Sequence, residues 1–381
     1  MRHSRFTDYG QAVVKPIAKI PSDVTQDLFS EWRGPKRGTA NPENMSNPVW
    51  RWLVDTRLPA YTANKAMNGP PSVEAGPVWC FDRFGQSKTT LPDGRTVLIG
   101  GEHEDYYDSD FYIYNDVVVR SESGDVDIYG YPDDIFPPTD GHTATLLEDS
   151  ILLIGSLSYP EYRLDGYTQV MRLDLETFVF SQVETTGQGP GWIGNHTAEF
   201  EDQGDWIRVS GGSVSAYDGT WYLENIDEWR LNIRTWTWER LTAKNWCRFA
   251  ILREDNAMMH LSSLRHLLWS RDVRWKNFDD EYAAMTQKLG GEPRLDEIAT
   301  LYHPELADVV FPEDEDEDEY RTYRIRLGDV VVRYVESSFD IRVTVEGTLP
   351  GRTVEKLKSD LIQRIARLER TSIECRDIPS L

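Results

Sequence analysis

Cysteine is scarce: Cys80, Cys247 and Cys375 are the only three in 381 residues, and they are widely spaced. An odd, scattered set builds neither a disulfide framework nor a paired zinc site, which points to a reducing compartment, the cytoplasm. Long apolar runs are missing too. No stretch approaches the ~20 residues of a membrane-crossing helix. The charged start, Met1 to Asp23, has no apolar core of about 7–15 residues, so no secretory signal is expected. Basic residues are outnumbered 41 to 64, and the net charge of −23 repels nucleic acid unless a local basic patch exists. GxSxG, HExxH, P-loop and GxGxxG arrangements in a suitable strand–helix context are also lacking, so no standard catalytic motif selects a site.

Aromatic residues are plentiful, with 13 Trp, 18 Tyr and 13 Phe, although mean hydropathy is only −0.53. That mixture excludes a disordered chain and predicts a folded one with a wide polar surface, in two or three domains by length. Four segments repeat: GQSKTTLPDGRTVLIGG from Gly85, GHTATLLEDSILLIGS from Gly141, NHTAEFEDQGDWIRVSGG from Asn195 and CRFAILREDNAMMHLSSL from Cys247. Their equivalent residues Thr89, Ala144, Ala198 and Ala250 are 55, 54 and 52 apart. Each reads as two short strands around an Asp, Asn or Gly turn, the first three ending in Gly-Gly or Gly-Ser. A second half-repeat, Asp110–Asn115, Gln169–Asp174 and Glu228–Asn232, follows the first three and predicts about four strands per unit. One such sheet cannot bury its face alone; several arranged radially share a core.

These units resemble kelch repeats, through the Gly-Gly hairpin ends, Tyr114, and Trp229, Trp236 and Trp238 near a unit boundary. The resemblance spans about Gly85 to Leu261 and departs in its longer repeat and in the lost Gly-Gly of the fourth unit. The N-terminal part is similar to bacterial kelch-repeat proteins carrying FSEWRG, NPVWRWL and WCFDRFG, found here at Phe29–Gly34, Asn47–Leu53 and Trp79–Gly85. The resemblance implies a mainly β fold, a kelch-like β-propeller, complete or partial, to which the residue patterns outside it add flanking helices and a small C-terminal α+β module. The expected division is 1–80 as a helical or irregular segment packing on the propeller, 81–270 as the propeller, 271–312 as a helical extension, 313–319 as an acidic linker and 320–381 as the α+β module. Helices are expected over Asn47–Ala66, Phe278–Leu289, Arg294–Tyr302 and Thr353–Leu368, the last with Thr353 as N-cap. Strands are expected over Thr322–Val335, Phe339–Glu346 and Ser372–Asp377. From Tyr320 onward 12 basic and 9 acidic residues give +3, so the preceding 319 carry −26.

The sharpest chemical cluster is the segment after the first Gly-Gly: Glu102, His103, Glu104, Asp105, Tyr106, Tyr107, Asp108 and Asp110. Without the fixed spacing of a calcium loop, it reads as a solvated contact for a basic partner ahead of a cation site. His142 and His196 fall at equivalent positions of the second and third repeats. They can converge as ligands or acid–base groups, but their periodicity suits a structural hydrogen bond better. Kelch-like propellers include sugar-acid isomerases and a copper oxidase, yet Cys80 and Cys247 lack recognisable copper-ligand partners. The expectation is therefore a non-enzymatic protein-binding module without cofactor or metal, facing a basic protein partner, such as an immunity protein occluding a cationic toxin. The alternative is a propeller enzyme acting on a carbohydrate or sugar acid.

Overall fold

The computed structural model describes residues 19–105, 108–201, 205–216, 221–311 and 321–378. The protein is mainly β, with antiparallel sheets, and its chain divides into two compact units that part between Lys244 and Asn245.

In the first unit, Asn47 caps the helix Pro48–Thr56 by accepting a hydrogen bond from the Trp50 amide, with Pro48 in the first turn, where its missing N–H costs nothing. The expected helix to Ala66 breaks at the left-handed Arg57 and resumes over Ala60–Ala66. The three N-terminal motifs are core. Phe29, Trp50, Leu53 and Trp79 are buried, Trp50 stacks on Trp79 with ring centroids 5.0 Å apart, and its indole N–H donates to Trp32 O at 2.6 Å. These residues cover one face of a five-stranded sheet ordered Glu43–Asn44, Val126–Gly130, Val117–Arg120, Thr96–Ile99, Ser87–Thr90. Leu98, Val118 and Ile128 point into that layer; Val97, Ile99, Val117 and Val119 point the opposite way, against Ile151, Leu153, Met171 and Leu173 of the next sheet. A strand buried on both faces must be apolar throughout, and Val117-Val118-Val119 is.

The second sheet is ordered Phe180–Gln182, Val170–Asp174, Ser150–Ile154, Thr143–Leu146, and the third Thr197–Glu201, Trp206–Ser210, Trp229–Asn232, Thr237–Arg240. The first three repeat hairpins are thus present, and the half-repeats of the second and third take the expected places. In the first repeat they do not. Asp108–Ile113 pairs with Glu102–Asp105 in a separate hairpin, while Val117–Arg120 fills the place beside Thr96–Ile99, because a doubly covered position admits valines and not carboxylates. A further three-stranded sheet joins Ile193–Gly194, Ser213–Ala216 and Trp221–Glu224. Among the described residues no strand pairing links the third sheet back to the first.

Equivalent positions of successive repeats are bonded in series: Gly141 N donates to Gly85 O at 2.9 Å and Asn195 N to Gly141 O at 2.6 Å. The glycine pairs have a direct reason. Gly100 and Gly155 sit at φ +58° and +73°, and a Cβ on either would lie 2.1 Å from a carbonyl oxygen two residues ahead of the following repeat, Thr139 O or Ile193 O.

The fourth repeat is a correction. Cys247–Arg253 forms no hairpin with the residues after it; it pairs with Asp340–Glu346 on one side and Ile373–Ile378 on the other. The second unit is built on a six-stranded sheet ordered Val309–Val310, Thr322–Leu327, Val330–Glu336, Asp340–Glu346, Cys247–Arg253, Ile373–Ile378. Leu261, Leu264 and Leu267 have helical spacing, and Leu261–Asp272 is a helix where the repeat called for a strand. Residues expected in the propeller to 270 and in a helical extension therefore share one core with the C-terminal tail, in which Phe249 and Ile251 meet Leu264, Val343 and Ile365. The expected strand Thr322–Val335 folds back at Gly328, φ +59°. The last helix runs Gly351–Glu369 behind Pro350, so Thr353 lies inside it, and Val354, Leu357, Leu361, Ile365 and Leu368 are buried as their spacing predicts. Phe278–Leu289 is helical and ends at left-handed Gly290, while the next helix is shorter than expected, Leu295–Ala299. The acidic run 313–319 lies outside the described residues.

Candidate functional site

The acidic segment after the first Gly-Gly is a hairpin, not a loop. Its base is held by reciprocal backbone bonds between Phe84 and Glu102 at 2.8 Å, and its far strand by Ile113 N donating to the Tyr159 hydroxyl at 2.8 Å. His103 and Asp110 are buried, with His103 Nε2 3.6 Å from Asp110 Oδ2. Glu102 is half-buried, and burial together with the nearby Asp140 carboxylate holds its carboxyl above the usual range. Asp140 is itself raised by burial, although its Oδ1 accepts from Ser158 N at 2.8 Å. Glu104 is exposed. Asp105 and Asp108 are partners in the backbone register of the hairpin, and Tyr106 and Tyr107 lie outside the described residues. Next to this hairpin Arg37 pairs with Asp133 at 2.9 Å and donates to Asn115 Oδ1 at 2.8 Å.

His142 and His196 are sheet-to-sheet fasteners. His142 Nε2 bonds Ser87 Oγ at 2.8 Å, and His196 Nε2 bonds Thr143 Oγ1 at 2.9 Å, each reaching back one repeat. Burial pushes His196 down to about 4; burial and then the neighbouring His196 push His142 down to about 3. Both are neutral at physiological pH. Among the described residues no group of three or more His, Cys, Asp and Glu side chains is placed to hold a metal ion.

Sequence reasoning missed a groove in the second unit. It has a volume of about 960 Å³ and lies between helices Leu261–Asp272 and Phe278–Leu289, walled by His266, Trp269, Glu281, Met285 and Lys288 and floored by Tyr323. Arg265 reaches its floor: the guanidinium sits 4.5 Å from the Tyr323 ring centre and bonds the buried Glu336 carboxylate at 2.6 Å, which also accepts from the Tyr302 hydroxyl at 2.8 Å. His266 Nε2 is 3.3 Å from Glu281 across the two helices. The signal was present in Leu267-Leu268-Trp269: three consecutive large apolar residues cannot all face inward on one helix.

Three basic residues of the last helix are engaged within the unit. Lys358 bonds Asp377 at 2.7 Å, Arg364 bonds Asp360 at 2.8 Å, and Arg367 bonds Glu297 at 3.0 Å.

No protein-family model and no curated protein matches the sequence. Among solved structures the chain is similar to YjhT, over 71% of this chain and 86% of that one, at 13% identity and a TM-score of 0.32. So low a score supports no argument about fold or chemistry.

Proposed function

We propose that the three serially bonded sheets are blades of a partial kelch-like β-propeller, and that the protein is a non-enzymatic binding module for a basic protein partner. The observation carrying this reading is the use made of its polar side chains. The repeat-equivalent histidines, the best acid–base candidates in the sequence, are buried, neutral and committed to Ser87 and Thr143. The surplus of carboxylates, including exposed Glu104, remains for long-range attraction of a basic surface. Occlusion of a cationic toxin is one role that fits, since it needs a complementary face and no catalytic residue.

Affinity purification from the native cell at low and at high salt tests the reading. A basic protein retained at low salt and released at high salt supports it; no such protein refutes it. Reversing Glu102 and Glu104 to lysine weakens capture if the hairpin is the contact. A second reading, a carbohydrate-processing enzyme, draws on Glu102 and Asp140, two neighbouring carboxyls both raised by burial in the manner of acid–base pairs. Turnover of a saccharide that Glu102→Gln abolishes would favour it.

A further inference from the structure

We infer that the outer edge of the groove in residues 245–378 is a self-association face, on which a second copy of this chain docks about a two-fold axis. Helix Leu261–Asp272 buries Leu261, Leu264 and Leu267 on its inner side and presents Trp269, half exposed, on the outer one. The turn that follows adds Val273 at 50% and Trp275 at 42% exposure, and the two indoles pack together with centroids 6.1 Å apart. Large side chains left out of water's reach by nothing in the unit, and held in a fixed ridge, are the composition of an interface centre and not of a solvated helix.

Directly beside this ridge lies the groove lined by Leu268, Ala284 and Met285. A ridge and a groove that shares Trp269 with it, apolar at Leu268, Ala284 and Met285 and charged at Glu281 and Lys288, are the two halves of an isologous contact, in which each copy's ridge enters the other's groove. The charges around them say which copy. Arg274 and Lys276 flank Trp275 and are exposed; Asp279 and Asp280, exposed on the first turn of the next helix, follow within six residues. None of the four makes an ion pair among the described residues, although Arg253, Arg265, Arg271, Arg294, Arg333 and Arg367 of the same unit all do. An antiparallel pairing sets Arg274 and Lys276 of one copy against Asp279 and Asp280 of the other, twice. The local charge balance also favours self-contact over the rest of the chain, whose net charge is −23: outside the run 313–319, residues 245–381 hold 20 basic and 20 acidic side chains.

The test is sedimentation of the full-length protein over a roughly hundredfold concentration range. The expected result is a mass that rises from one chain to two. Trp269→Ala combined with Trp275→Ala raises the dissociation constant by roughly thirtyfold or more, with unchanged circular dichroism, because both indoles are exposed and contribute little to the fold. Two charge variants keep the inference falsifiable if the indole variant misfolds. R274E with K276E, and separately D279K with D280K, each yield monomer, and an equal mixture of the two yields dimer again. A monomer at every concentration overturns the inference and leaves the ridge to a different protein. So does a dimer that survives the substitutions, or a mixture of the charge variants that stays monomeric.

Discussion

Both units bury an arginine–carboxylate pair among aromatic rings, but they treat it in opposite ways. In residues 19–244 the Arg83 guanidinium is sealed, its side chain fully buried, 3.4 Å from the Tyr114 ring centre and 5.0 Å from that of Trp79; it pairs with Asp116, which also accepts from the Trp79 indole N–H at 2.8 Å. In residues 245–378 the Arg265–Glu336 pair keeps its carboxylate buried, but the arginine side chain is 20% exposed on the floor of a groove. The first pair fastens the WCFDRFG segment to its sheet and to nothing else. The second holds a wall that other molecules can reach. Charge differs in the same sense: residues 1–244 hold 21 basic and 37 acidic side chains, whereas the deficit in 245–381, 20 against 27, equals the seven acids of one run.

The largest expected effect follows from the sealed pair. Arg83→Met leaves Asp116 charged and out of water's reach, so unfolding free energy falls by about 3–5 kcal/mol. Arg265→Met costs about half of that, because its side chain is already partly exposed to the groove, where water can replace it, whereas that of Arg83 is not. Denaturant titration of both variants measures the contrast; equal losses would mean that the groove is closed in solution.

Next comes a substitution in the last helix. Ile365→Ala removes a fully buried branched side chain from the core shared by Phe249, Val343 and Leu361, at a cost of about 2–5 kcal/mol. The same change also tests the division at Lys244: Cys247–Arg253 must lose amide-exchange protection together with Asp340–Glu346, its partner strand. Protection lost only in the last helix would return residues 247–253 to the repeats.

The glycine pairs give a graded effect inside the first unit. Gly155→Ala sets a methyl 2.1 Å from Ile193 O at positive φ, so backbone must move and about 3 kcal/mol or more is lost. Gly211 is the equivalent in the third repeat and also has positive φ, 63°, yet a methyl there meets nothing within 4 Å. Gly211→Ala should cost about 1 kcal/mol, for conformation alone. Equal losses, measured by thermal unfolding, would show that a fourth repeat packs there in solution.

How far the chain could be read from its residues follows from the range of the forces concerned. Hairpins 87–99, 143–154 and 197–210 were legible because their turn chemistry and alternation are local, and so was the stripe Val354 to Leu368. The fourth repeat misled because Cys247–Arg253 is as good a strand in a six-stranded sheet as in a blade; only its partners, about 90 and 126 residues later, decide. The first half-repeat misled because Asp110–Asn115 matches its equivalents in pattern while carrying charge that a doubly covered position rejects. Of the proposed contact residues, Glu102, His103 and Asp110 do lie in one hairpin beside Asp140. The groove escaped notice since its walls come from two helices and a strand whose packing no motif announces.

The smallest effect concerns the histidines, and it bears on whether the first unit has a hidden acid–base group. His196 is neutral in the folded chain, taking its proton only near pH 4, whereas the unfolded chain takes it near 6.5. Its folded value is depressed, so below pH 6.5 the unfolded state binds the proton first. The stability linked to this group is therefore complete above 6.5 and declines as pH falls to about 4; His142 extends the decline to about 3. Glu102 and Asp140, both raised, act with the opposite sign, since the folded chain holds their protons more tightly. Comparing wild type with His196→Gln separates the terms. Glutamine keeps a hydrogen-bonding group near Thr143 and removes the titration, so the variant loses about 1 kcal/mol or less at pH 7 and shows a flatter decline between 6.5 and 4. Urea titrations across that range read the difference directly. Parallel profiles would mean that the imidazole protonates in the folded chain at its ordinary value and is reached by water, which would put His196 back among the groups able to move a proton.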